Sequence, residues 1–249
     1  MVKPVLLIRS ERNDVDADAL GKLGIPSSID PYLEIRVTSE GGEGLRLFEL
    51  MCSSEQPLWV IATSRNSIHY WAQLVGGNAF RSELQNHKNL NFAAVGEATA
   101  QTLRDYGARD VFLPSLPEAA TLAQELIGHD PKSTALIPGG NLAMPNLPLT
   151  LRKAGWGVQT AEVYRTSRVS AEPDSVGPLR KGDFSAVLLR SPSAVEALLH
   201  FVPRPLVPLV CAGSTTASAV YAHGLTVDLL SPKPTPEVVA RTISSLIFQ

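Results

Sequence analysis

The chain has 249 residues, 44% of them hydrophobic, and a formal net charge of -2. That length suits two domains of ordinary size, and no apolar run approaches the roughly 18–20 residues that span a bilayer, so no membrane is expected. The balanced charge, without a basic block, speaks against nucleic acid as a partner.

Short apolar runs alternate with helical patterns throughout. The first run, Val5-Leu6-Leu7-Ile8, predicts a strand near 4–9, followed by a helix near 13–22 and a strand near 25–30. Residues 31–38 read as a crossing to a second body, and 41–44 as a loop. Strands follow near 58–63, 91–95, 109–113, 134–138 and 158–164, with helices near 66–75, 98–106, 118–127 and 145–154. Residues 164–175 cross back, and 167–182, rich in Gly, Pro and Ser, read as a connection. The last third predicts strands near 184–190, 207–212 and 226–230, and helices near 192–201, 215–223 and 236–247. Continuous apolar character at 5–8 and 187–189 suits parallel strands buried on both faces. Ser191-Pro192 reads as a helix cap with proline in the first turn, and Gly107 and Gly224 stand where helices end.

One motif is written twice: Gly96, Thr99, Ala100 and Gly107 recur as Gly213, Thr216, Ala217 and Gly224. The copies lie more than one hundred residues apart, which means two copies of one domain rather than a solenoid. The run 58–64 likewise parallels 185–191, and Pro4–Arg9 parallels Thr134–Gly140, but the latter unit closes the middle domain while its counterpart opens the chain. The simplest account is a discontinuous first domain, residues 1–35 plus 172–249, with a permuted copy inserted as residues 36–171. Each is expected to be an α/β array, a flavodoxin-like parallel sheet of strand order 2-1-3-4-5. Two such domains facing each other would form a cleft.

In that topology ligands bind beyond the carboxyl ends of strands 1 and 3. Those ends carry Arg9-Ser10 and Ser191 in the first domain, and Gly139-Gly140-Asn141 and Ser64 in the second, with Gly96 to Thr99 and Gly213 to Thr216 flanking them. Helix starts offer free N–H groups and hydroxyls, which favour a ligand with several carboxylates or phosphates. Plainer readings compete. Ser64, Thr99, Ser191 and Thr216 could be caps worth about 1 kcal/mol each. Gly96 and Gly213 could serve tight turns, and Arg9 could pair with Glu11 or Asp14.

Cys52 and Cys211 are too few for a disulfide framework or zinc site, and His69, His87, His129, His200 and His223 are isolated. No Gly-x-Gly-x-x-Gly, P-loop or Gly-x-Ser-x-Gly stretch occurs. The start, Met1-Val2-Lys3-Pro4, has no signal-peptide pattern, so a cytoplasmic location is expected. An enzyme built this way relies on positioning and electrostatics. A hinged binding module, or an enzyme for a phosphorylated metabolite, would suit the same features.

Four segments carry a resemblance: Thr63-Ser64-Arg65-Asn66, Ala94-Val95-Gly96-Glu97-Ala98-Thr99-Ala100, Glu162-Val163-Tyr164-Arg165-Thr166 and Gly213-Ser214-Thr215-Thr216-Ala217. With the permuted repeat, they make the chain resemble uroporphyrinogen-III synthases over essentially its whole length. The resemblance implies two flavodoxin-like domains joined by a two-stranded linker, and no cofactor or metal. It implies cyclisation of the linear tetrapyrrole hydroxymethylbilane to uroporphyrinogen III, with inversion of the last ring. It also implies a monomer, in transient contact with the preceding pathway enzyme. Tyr164 matches the tyrosine proposed in that family as proton donor. Arg9, Ser64, Gly96, Thr99, Gly139, Gly140, Ser191, Gly213 and Thr216 would bind substrate. The family often has a basic residue after the strand at 134–138, and Pro138-Gly139-Gly140-Asn141 offers none.

Overall fold

The computed structural model describes residues 2–38, 42–130 and 133–248. The chain divides into two compact units, Met1–Ile35 with Ser167–Gln249 and Arg36–Thr166.

Unit 1 holds a five-stranded sheet of β1 (Val5–Leu7), β2 (Ser27–Ile29), β8 (Ala186–Leu189), β9 (Leu209–Cys211) and β10 (Leu229–Leu230). Its spatial order is β2-β1-β8-β9-β10 with every pair parallel, the expected 2-1-3-4-5. Alternate side chains feed two cores. Leu6, Val187, Leu189 and Leu209 pack towards α8 (Val176–Arg180), α9 (Pro192–Phe201) and α10 (Ser214–Ala222). Val5, Leu7, Ala186 and Leu188 pack towards α1 (Asn13–Gly21) and α11 (Pro236–Ile247). Burial on both faces is why these runs are apolar without alternation.

Unit 2 is built around β4 (Leu58–Ala62), which lies between β5 (Leu90–Ala94) and β6 (Thr134–Gly140), with β7 (Gly157–Arg168) beside β6 and β3 (Leu33–Val37) outermost. One face packs α2 (Glu43–Ser53), α3 (Arg65–Val75), α4 (Gly77–Asn86) and α5 (Glu97–Asp105) through Leu47, Trp71, Phe80 and Leu103. The other packs α6 (Ala119–His129) and α7 (Asn146–Lys153) through Leu122, Leu126, Leu147 and Leu151. Counting β6 first, β7-β6-β4-β5 repeats the start of the unit 1 order. Among the described residues, no helix is long and apolar enough to cross a membrane.

Several expectations need correction. The strand expected at 109–113 shrinks to one parallel bridge, Ala93 with Phe112, because left-handed Asp110 (φ 45°) interrupts extended backbone just before it. Of the loop expected at 41–44, Gly41 lies outside the described residues, and Gly44 belongs to α2. There its backbone carbonyl accepts the Trp71 indole N–H at 2.8 Å, and a Cβ would lie 2.5 Å from Leu74. Glycine thus marks close approach of α2 and α3 rather than a turn. The connection expected at 167–182 contains the end of β7 and the short helix α8. Gly107 (φ 103°) and Gly224 (φ 71°) do adopt the left-handed conformation after α5 and α10.

Candidate functional site

In unit 2 the expected residues lie at the carboxyl ends of adjacent strands. Ser64 follows β4 in extended conformation, and its hydroxyl accepts the N–H of Ser67 at 3.1 Å, capping α3. The Ser67 hydroxyl in turn donates to the Ser64 carbonyl at 2.6 Å. Tyr164 lies inside β7, not at its end, because that strand runs on to Arg168. Its hydroxyl is 3.5 Å from that of Ser64, at the outer limit of a hydrogen bond. The Tyr70 ring packs on it with centroids 5.4 Å apart. Gly139 and Gly140 are the last residues of β6 rather than a loop beyond it.

A cavity of about 250 Å³ opens beside these glycines, lined also by Thr63, Met144, Thr160 and Arg152. Arg152, a basic residue of α7, thus lies beside this strand end, and its Nη2 donates to the Val158 carbonyl at 3.1 Å. A local motif could not reveal it; only the packing of α7 brings it there. A larger cavity, about 520 Å³, is lined by His87, Lys88, Leu90 and Arg109. It lies at the amino end of β5, away from Gly96, and shares none of the expected residues.

The two repeated glycines behave alike. Gly96 (φ -156°) and Gly213 (φ -168°) precede α5 and α10 in extended conformations that any residue adopts, so the tight-turn reading fails. A Cβ at Gly213 would meet nothing within 4 Å, and one at Gly96 only Pro117 at 3.8 Å. No side chain caps either helix. Their first-turn N–H groups remain directed at whatever lies beyond the sheet edge, and the helix dipole favours negative charge there. Thr99 and Thr216 are not caps either. They are the third residues of these helices and are buried, with 8% and 3% exposure.

In unit 1, Ser191 caps α9 by accepting the N–H of Ala194 at 3.2 Å and also contacts the Ser193 hydroxyl at 2.9 Å. Arg9 faces Asp16, and the charge of Asp14 also acts on it. Its Nη1 lies 3.9 Å from the carboxylate of buried Asp16, and its Nη2 donates to the Arg12 carbonyl at 2.5 Å. Asp16 also holds Arg190 through two hydrogen bonds, one to Nε at 2.7 Å and one to Nη2. Burial lowers the Arg9 pKa, and Asp16 opposes that shift. Two guanidiniums thus share one carboxylate at the ends of neighbouring strands β1 and β8, with the charges of Arg12 and Asp14 also acting on Arg9. Asp16 and Arg190 escape sequence reading because they are 174 positions apart. Among the described residues, no group of three or more His, Cys, Asp or Glu could hold a metal ion.

A family model described as HEM4, uroporphyrinogen-III synthase HemD, matches residues 14–240. No curated protein matches the chain by sequence. Among solved structures, the uroporphyrinogen-III synthetase of Helicobacter pylori is similar at 17% identity and a TM-score of 0.68, covering 98% of this chain and 100% of that one. A mutant uroporphyrinogen III synthase of Thermus thermophilus is similar at 16% identity and a TM-score of 0.59, covering 98% and 99%. At such identities the likeness speaks for the fold.

Proposed function

This chain belongs to the uroporphyrinogen-III synthase family, and on that premise we propose that it is a cyclising lyase for hydroxymethylbilane. The substrate is a linear tetrapyrrole bearing acetate and propionate arms. Loss of its hydroxyl as water leaves an azafulvene, which closes through a spiro intermediate to uroporphyrinogen III, the last ring inverted.

The uncapped first turns of α5 and α10, behind Gly96 and Gly213, suit carboxylates, and backbone at Gly139 and Gly140 adds contacts in unit 2. The hydroxyls of Ser64 and Ser191 stand at the neighbouring helix starts, and Thr99 and Thr216 support the first turns from within. Arg9, with Arg190, supplies positive charge in unit 1. Tyr164 is the proton donor. Its phenol gives a hydrogen bond, then a proton, to the departing hydroxyl. The proton released when the macrocycle closes restores the phenol, so the step balances as loss of one water. The chain works as a monomer and meets the preceding pathway enzyme only transiently.

The observation that carries this reading is the Tyr164 phenol beside the Ser64 hydroxyl at the carboxyl edge of the unit 2 sheet. A thermal-shift series tests it with tetrapyrrole carboxylates against sugar phosphates. A tetrapyrrole at one hundred times its Kd should stabilise the protein by about 2.7 kcal/mol. A response to sugar phosphates alone would point to another metabolite.

A further inference from the structure

The strand bearing Tyr164 is gripped at one place by its neighbour. Between β6 and β7 the register shifts at the Gly139/Gly140 step, from Gly139 opposite Glu162 to Gly140 opposite Tyr164. Such irregularities re-aim a side chain. A Cβ at Gly140 would lie 2.5 Å from Cε2 and Cζ of the Tyr164 ring and 3.0 Å from its hydroxyl oxygen. Real Cβ atoms do not come so close, so any side chain at 140 displaces the phenol. Gly140 is not among the glycines of positive φ, and its backbone makes no demand for glycine. Space for the ring does.

Asn141 fixes the same segment along the chain. Its backbone N–H donates to the Tyr164 carbonyl at 3.3 Å, and its Nδ2 donates to the Thr166 carbonyl at 3.1 Å. Its Oδ1 accepts the Thr166 N–H at 2.9 Å. One residue therefore holds the backbone on both sides of Arg165, and its side-chain amide continues the ladder past the end of β6.

We propose that Gly140 and Asn141 are positioning residues for the Tyr164 phenol: Gly140 leaves the volume the ring occupies, and Asn141 fixes the height of the strand that carries it. The mechanistic part rests on Tyr164 as proton donor; the placement itself does not.

The test uses the whole protein with 3-fluorotyrosine at its five tyrosines. The Tyr164 resonance is identified by its loss in Tyr164→Phe. Gly140→Ala should move that resonance and lower kcat by about tenfold to a hundredfold, as for a reacting group displaced by an ångström, with KM little changed. In the Tyr164→Phe background the same change should cost almost nothing further. Asn141→Ala should move the resonance less, and Asn141→Asp, which keeps the acceptor for Thr166, should restore part of kcat. If Gly140→Ala does not fold, the Asn141 pair carries the same comparison. An unmoved resonance, or kcat losses that simply multiply in the double variant, would overturn the proposal. If Tyr164→Phe alone keeps full turnover, the proton-donor reading falls, and the resonance still decides whether Gly140 seats the ring.

Discussion

The carboxyl edges of the two sheets are built from the same repeat and furnished differently. Both have a self-capped serine, Ser64 or Ser191, and beside it an uncapped glycine start, Gly96 or Gly213. What differs is the residue set around the first strand of each unit. Unit 1 places Arg9 and Arg190 there around Asp16; unit 2 places Tyr164 against Gly140. The repeat thus supplies an uncapped helix start twice, whereas the paired guanidiniums stand in unit 1 and the partly buried tyrosine in unit 2. Two tyrosines sharpen the contrast. Tyr32 in unit 1 is wholly buried, with its phenol 3.0 Å from the Ser175 hydroxyl, and burial pushes its pKa up to about 12. Tyr164 is only partly buried and faces a hydroxyl at the sheet edge.

The largest expected effect breaks the unit 1 edge. Asp16→Ala leaves Arg190 and Arg9 without their shared carboxylate and should cost about 3–5 kcal/mol, read from urea denaturation. Next comes unit 2. Tyr164→Phe should keep the melting temperature but lower kcat by about a hundredfold or more. The reciprocal change, Tyr32→Phe, should cost about 1 kcal/mol of stability and leave turnover intact. Because folding raises the Tyr32 pKa above the unfolded value of about 10, its contribution is complete below that pH. It should be lost as pH rises towards about 12, and Tyr32→Phe should flatten that part of the stability profile.

Smaller effects compare the helix starts. Ser64→Ala and Ser191→Ala should each lower stability by about 1 kcal/mol. Gly96→Ser and Gly213→Ser should do the opposite, raising stability by a few tenths of a kcal/mol while weakening substrate, because a serine hydroxyl would occupy N–H groups that no side chain now caps. Melting and kcat/KM measured together check both pairs. Higher stability with unchanged kcat/KM would remove the amides from the site.

Much of this architecture was legible because local signals and tertiary structure agree. The apolar runs, the Ser191-Pro192 start and the left-handed Gly107 and Gly224 all report on their own neighbourhoods. Misreadings arose where a residue answers to a distant partner. Gly44 reads as a loop, yet it is small because Leu74 lies against it. Thr99 and Thr216 read as caps, yet each lies within the first turn of a helix whose N-cap is glycine. Arg9 was visible as a strand-end cation, but its partner Asp16 comes from the buried face of α1 and its companion Arg190 from the far end of the sequence. Tyr164 stood out by its place at a predicted strand end and by resemblance; its seat on Gly140 needs the register of two strands.

If this chain steers ring closure, the isomer formed reports it directly. Hydroxymethylbilane left alone closes to the symmetric type I ring, so freshly prepared substrate is mixed with purified protein, with and without chelator, and the isomers are separated. Diversion to type III, undiminished by chelator and with nothing else added, is the expected outcome. An unchanged yield of type I at equimolar protein would mean that the chain does not steer closure.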